Sequence, residues 1–103
     1  MLKMAKWGPV LTGRNLGKIV RNEIEAKICS SNTPIIIDFE GIRIASHSFC
    51  DEFFGILVLN NEEIIKQIKF INTNETIKRI IKYVMLERMQ EKMEAAGQQT
   101  ITV

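Results

Sequence analysis

Apolar residues recur along this chain with two different periods, and the changes of period mark its elements. Leu16, Ile19, Val20, Ile24 and Ile28 step by three and four, with Arg14, Lys18, Arg21, Glu23 and Lys27 mostly on the other faces. That spacing predicts an amphipathic helix over roughly residues 13 to 29, with Thr12 as its N-cap. Ser30 to Pro34 is a run of small polar residues closed by proline, which stops the helix. Ile35 to Phe39 is an uninterrupted apolar run rich in β-branched residues, the pattern of a central strand covered on both faces. Glu40-Gly41 makes a turn, and Ile42-Arg43-Ile44 is a short extended segment.

From Ser46 onward, Phe49, Phe53, Phe54, Ile56, Leu57 and Val58 predict a second helix, apolar on most sides and ended by Asn60-Asn61. Ile68 to Ile71 reads as a strand, with Glu62 to Lys66 as a connecting turn or short helix. Asn72-Thr73-Asn74 is a turn with a cap, and Glu75 opens the last helix. Ile77, Ile80, Ile81, Val84, Met85, Arg88 and Met89 lie along one side of it, and it is expected to fade near Gly97. At the start, Trp7-Gly8-Pro9-Val10-Leu11 punctuates a short strand or ordered arm. The order (β)-α-β-α-β-α means βαβ units, a largely parallel sheet and right-handed crossovers. One domain over 1–97 followed by a short polar tail, 98–103, is the expected organisation.

Composition narrows the function classes. The chain has 103 residues, 46% of them hydrophobic and 25% charged, as a soluble globular domain would. A formal net charge of +2 is too weak to indicate nucleic acid. Cys29 and Cys50 form no disulfide framework, and no secretory leader precedes them, so a reducing cytoplasm is expected. No apolar run approaches the ~20 residues of a membrane span.

The chemistry concentrates in Ser46-His47-Ser48-Phe49-Cys50-Asp51-Glu52, where the only histidine and an Asp-Glu pair stand beside two hydroxyls. A strand leading into a polar turn at a helix head is where open α/β folds build sites. Ser46 is well placed as the N-cap of the second helix. His47, Cys50 and Asp51 lack the spacing of common zinc sites, and no metal or cofactor is expected. Cys50 reads as core packing; a Cys–His dyad would need spatial adjacency, and neighbouring acids raise the thiol pKa. Asp51 and Glu52 suit the positive end of the helix dipole. Asp38 reads as a turn or cap partner for Gly41. Met85, Met89 and Met93 step by four along the last helix, a core stripe first and a dimer face second. Lys66, Lys69, Lys78, Arg79 and Lys82 read as a solvated surface, with the face of an acidic partner as the sharper alternative.

Several motifs together carry a resemblance. They are Gly13-Arg14, Ile36-Ile37-Asp38-Phe39-Glu40-Gly41-Ile42, Ser46-x-Ser48-Phe49-x-Asp51-Glu52-x-x-Gly55 and Ile68-Lys69-Phe70-Ile71-Asn72, spread over roughly residues 8 to 85. The chain resembles the STAS-like domains of unknown function, relatives of the bacterial anti-sigma-factor antagonists. The resemblance implies an α/β fold with a mixed, mostly parallel sheet of about four strands and helices mainly on one face. It also implies a non-catalytic regulatory module that binds another protein, such as a GHKL-type ATPase-fold kinase. Ser46, His47, Ser48, Asp51 and Glu52 would form the partner-binding surface, with Ser46 and Ser48 as candidate phosphoacceptors. In the antagonists an Asp-Ser-Ser-Gly motif carries the phosphorylated serine. Aligned here, its four positions hold Ser46, His47, Ser48 and Phe49, so His47 occupies the acceptor slot and the switch does not transfer intact. The family pattern also suggests that Arg14 pairs with Asp51 or Glu52. The alternative from another class is a small enzyme or cofactor-binding domain using the Ser46–Glu52 cluster.

Overall fold

Short parallel strands, each running into a helix or turn, organise the chain. The computed structural model describes residues 1–30 and 33–101, with side chains described at 1–28 and 33–95. Ser31 and Asn32 of the expected loop and Thr102 and Val103 of the expected tail lie outside the described residues. Strand β1 (Leu2–Lys3) leads through a 3-10 turn (Met4–Trp7) to β2 (Val10–Leu11) and helix α1 (Arg14–Ser30). Strands β3 (Ile35–Asp38) and β4 (Ile44–Ala45) follow. Helix α2 (His47–Cys50) continues through a π-helical turn (Asp51–Gly55) into α3 (Ile56–Asn60). The chain ends with α4 (Ile64–Gln67), β5 (Ile68–Ile71) and the 27-residue α5 (Glu75–Ile101).

The strands form a three-stranded sheet in the order β1-β3-β5 and a separate pair, β2-β4, all parallel. The β-branched run at β3 therefore holds the centre of its sheet. Register places Leu2, Ile35, Ile37, Ile68 and Phe70 on one face and Lys3, Ile36, Asp38, Lys69 and Ile71 on the other. The first face looks into the core, where Leu2, Ile35 and Ile37 are buried. On the second, Lys3 and Lys69 are exposed and Ile36 and Ile71 half-buried, so the helices cover mainly one face.

Aromatic rings fill the space between sheet and helices. Phe49 and Phe53 lie 5.0 Å apart between ring centroids, Phe54 meets Phe70 edge-on at 5.1 Å, and Phe39 meets Phe70 at 5.9 Å. The π-helical turn makes this possible. The Ile56 N–H donates to the Asp51 carbonyl, five residues back, which widens the helix by one residue. Phe53 and Phe54, adjacent in sequence, are consequently both buried. From α5, Ile77, Ile81 and Val84 complete the core.

Three expectations change. Helix α1 starts after Gly13 rather than Thr12: the Gly13 carbonyl accepts from Gly17 N–H at 3.2 Å, and Gly13 sits at φ +87°, a conformation that favours glycine. Asp51 and Glu52 lie beyond the first turn of α2, which contains no acid, so the dipole does not explain them. The backbone of α5 stays helical through Ile101, past the expected fading at Gly97 and into the expected tail. Among the described residues, no helix is long and apolar enough to cross a membrane.

Candidate functional site

The head of α2 is built by a hydroxyl. Ser46 has extended backbone (φ −72°, ψ 160°), and its Oγ accepts from Phe49 N–H at 3.1 Å as the N-cap. The same Oγ accepts from Gly13 N–H at 3.4 Å. Because β2 and β4 pair in parallel, the helices that follow them start side by side, and Ser46 ties the two starts together. Ser48 Oγ lies 3.2 Å from Ser46 Oγ.

Residues 46–48 stay near the surface. His47 is exposed, its ring centroid 5.6 Å from that of Tyr83 and its Nε2 3.7 Å from Glu87 Oε1 on α5. On the strands that run into α1 and α2, Val10 and Ile44 face each other across β2 and β4, exposed by 47% and 54%. Tyr83 is 57% exposed.

Residues 50–52 turn inward. Cys50 is fully buried, and burial, helped by the Asp51 charge, pushes its thiol up to about 12. Such a thiol is no nucleophile near neutral pH. Asp51 is only 3% exposed and is gripped by Arg88 of α5, Nε to Oδ1 at 2.9 Å and Nη2 to Oδ2 at 2.7 Å. Arg14 Nη1 adds a third contact to Oδ2 at 3.0 Å. The Arg88 hydrogen bonds hold the Asp51 carboxyl below its ordinary pKa against the opposing effect of burial, with Arg14 assisting. The same bonds raise both guanidiniums. Glu52 meets Arg14 at 3.5 Å and is paired with Arg21, whose Nη1 also donates to the Glu52 carbonyl at 2.6 Å.

Two glycines make room for these pairs. A Cβ on Gly17 would lie 2.7 Å from Glu52 Cβ and 2.9 Å from the Phe49 carbonyl oxygen. A Cβ on Gly55 would collide with the Asp51 carboxylate. Close packing of α1 on α2, and of Asp51 on its own helix, thus excludes any larger residue.

The family resemblance suggests that Arg14 pairs with Asp51 or Glu52, and the structure brings Arg14 to both. It also joins Arg88 and Arg21, which no motif singled out. Arg88 was legible in one respect: it stands on the apolar stripe of α5, where a charge needs a buried partner. Arg21 stands four residues after Gly17 and carries a weaker signal. Asp38 is not paired with Gly41. Its Oδ1 accepts from Glu40 N–H at 2.9 Å and Asn72 Nδ2 at 3.0 Å, which closes the turn after β3 onto the turn after β5. The Asn72 bond, seconded by Glu40, keeps that carboxyl low as well. Among the described residues, no group of His, Cys, Asp and Glu is placed to hold a metal ion.

The family model of the STAS-like domain of unknown function (DUF4325) matches residues 17–78, from the glycine that packs α1 on α2 to the start of α5. The chain belongs to that family. The match spans the second helix with its π-helical turn, and the parallel strands give this STAS-like domain its mixed α/β fold. No curated protein and no solved structure matches the chain.

Proposed function

We propose that this STAS-like domain is a non-catalytic regulatory module that binds a protein partner through the surface around the head of α2. One observation carries the reading. Val10 and Ile44, paired on the strands that run into α1 and α2, and Tyr83, whose ring meets His47, are all about half exposed, and the start of α2 between them in sequence is rigidly capped. A single exposed apolar residue is normal on a surface, but an exposed apolar pair at the strand ends and an exposed ring on the helix head suit a partner. The acids behind it are already neutralised by arginines, and the neighbouring thiol is buried and protonated. The same stretch therefore offers little for turnover and much for contact. An ATPase-fold kinase of the GHKL type is the partner class the family resemblance suggests, in the cytoplasm.

Phosphorylation would act at Ser48 rather than Ser46. Ser46 Oγ already accepts two backbone N–H groups, and modification would sacrifice both bonds. Among the described residues, Ser48 Oγ has the single contact with Ser46. A phosphate there would stand by the helix start, where its charge is tolerated, and would put new charge on the contact surface. Asp51 and Glu52, by contrast, support the surface from behind and do not form it.

The test is photo-crosslinking in lysate of the source cells, with a photoreactive group at position 83. A discrete partner species is expected, lost in Val10→Glu and Ile44→Glu variants of unchanged far-ultraviolet circular dichroism. Equal yields from those variants would sink the proposed surface. Incubating the captured partner with ATP should add one phosphate by intact mass, lost in Ser48→Ala and retained in Ser46→Ala. The reverse pattern would move the modification to Ser46.

A further inference from the structure

A second surface shares no residue with the first. Strand β5 forms an outer edge of the three-stranded sheet. The Phe39 N–H donates to the Ile71 carbonyl at 3.0 Å, so Ile71 turns its backbone groups toward β3. Backbone groups alternate sides along a strand, so those of Phe70 turn outward. Among the described residues, no backbone bond reaches Phe70 on that side. Beside this edge lies an open groove of about 240 Å³, lined by Phe54, Ile65, Ile68, Phe70, Ile81 and Met85. Lys78 and Lys82 border it, and Lys69 projects from β5 on the opposite face of the sheet.

We propose that the β5 edge and its groove receive an extended segment of a partner protein with alternating apolar and acidic side chains, added to the sheet as a further strand. A strand laid on this edge sends every second side chain into the groove, whose lining demands apolar groups. The intervening side chains lie beside Lys69. Lys69 is exposed and, among the described residues, has no carboxylate within ion-pair reach, so it is available to those acids. Self-pairing of two β5 edges would instead set Lys69 of one copy near its own counterpart, and like charges across a ladder are unfavourable. A free long-chain carboxylate would fill the groove and meet Lys82, but would leave the outward backbone groups of Phe70 unused.

The full chain is titrated with an acetylated, amidated hexapeptide of alternating glutamate and leucine, followed by calorimetry and by amide exchange of Phe70. Saturable binding is expected, with exchange at the Phe70 amide slowed about tenfold or more at saturation. The variant Lys69→Glu should weaken affinity about tenfold or more, and because Lys69 is exposed it tests recognition rather than folding. A peptide N-methylated on alternate backbone nitrogens, in the frame that faces the protein, should not bind. Equal binding of a lysine–leucine hexapeptide would overturn the proposal. Full affinity of the N-methylated peptide, unchanged exchange at Phe70, or binding of dodecanoate but not of the peptide would each do the same.

Discussion

Ser46 to Ser48 and Cys50 to Glu52 are separated by one residue yet belong to different environments. The first three start the helix at the surface, Ser46 Oγ capping the backbone, Ser48 Oγ beside it and His47 resting against Tyr83. The second three face the interior, where a carboxylate that is 3% exposed takes three hydrogen bonds from two arginines. A helix turns about 100° per residue, so a short run of polar residues is divided between faces as a matter of geometry. The outer half keeps its surface free for contact. The inner half is already satisfied, so its chemistry is spent on joining α1, the π-helical turn and α5.

The largest effects should come from the inner half. Arg88→Ala leaves Asp51 buried with only Arg14, which is itself 52% exposed at its side chain, and should cost about 3 kcal/mol in urea unfolding. Arg14→Ala should cost under about 1 kcal/mol, because that arginine is hydrated in either case. If the two losses are equal, the difference drawn between the arginines is wrong. Gly55→Ala forces a methyl group against the Asp51 carboxylate and should cost about 2 kcal/mol, largely relieved when combined with Asp51→Ala. A double-mutant cycle showing simple additivity would remove the steric explanation.

Acid should discriminate the same way. Asp51 and Asp38 both titrate below their ordinary value of 3.8 in the folded chain. Each therefore contributes stability that is complete above about pH 5 and lost progressively as pH falls below about 4. Asp51→Asn should flatten that decline in a series of unfolding curves, although the variant starts less stable at neutral pH. Ser46→Ala removes a cap and should cost about 1 kcal/mol. At the small end, Ile44→Glu and Val10→Glu should change stability by less than about 0.5 kcal/mol while abolishing partner crosslinking from position 83. A large loss of stability in either would mean the outer surface is part of the core.

Much of the fold was legible because its signals are local. Period alone placed β5 at Ile68–Ile71 and α1 within a residue of its ends. Ser46 was readable as a cap because a cap is a residue type followed by a helical pattern. The acids were readable as chemistry but not as geometry. With Ser46 as the cap they are the fifth and sixth residues of the helical run, past its first turn, and their roles depend on arginines 37 residues away in either direction for Asp51. The end of α5 was misjudged because Gly97 is a weak stop signal, and a single glycine costs only about 1 kcal/mol in a helix.

The sequence by itself determined the alternation of strands and helices, the central apolar strand and the capped helix start, and its family resemblance suggested pairing Arg14 with Asp51 or Glu52. Only the tertiary structure decided that the strands split into sheets of three and two, that Arg88 and Arg21 complete the ion pairs, and that β5 keeps an open edge. Local pattern sets each element's type and buried face, because propensity and period act within a few residues. Which edges remain open and which charges meet depends on contacts between residues far apart in the chain. Those contacts depend on close approaches, such as those at Gly17 and Gly55, that exist only once the helices have packed.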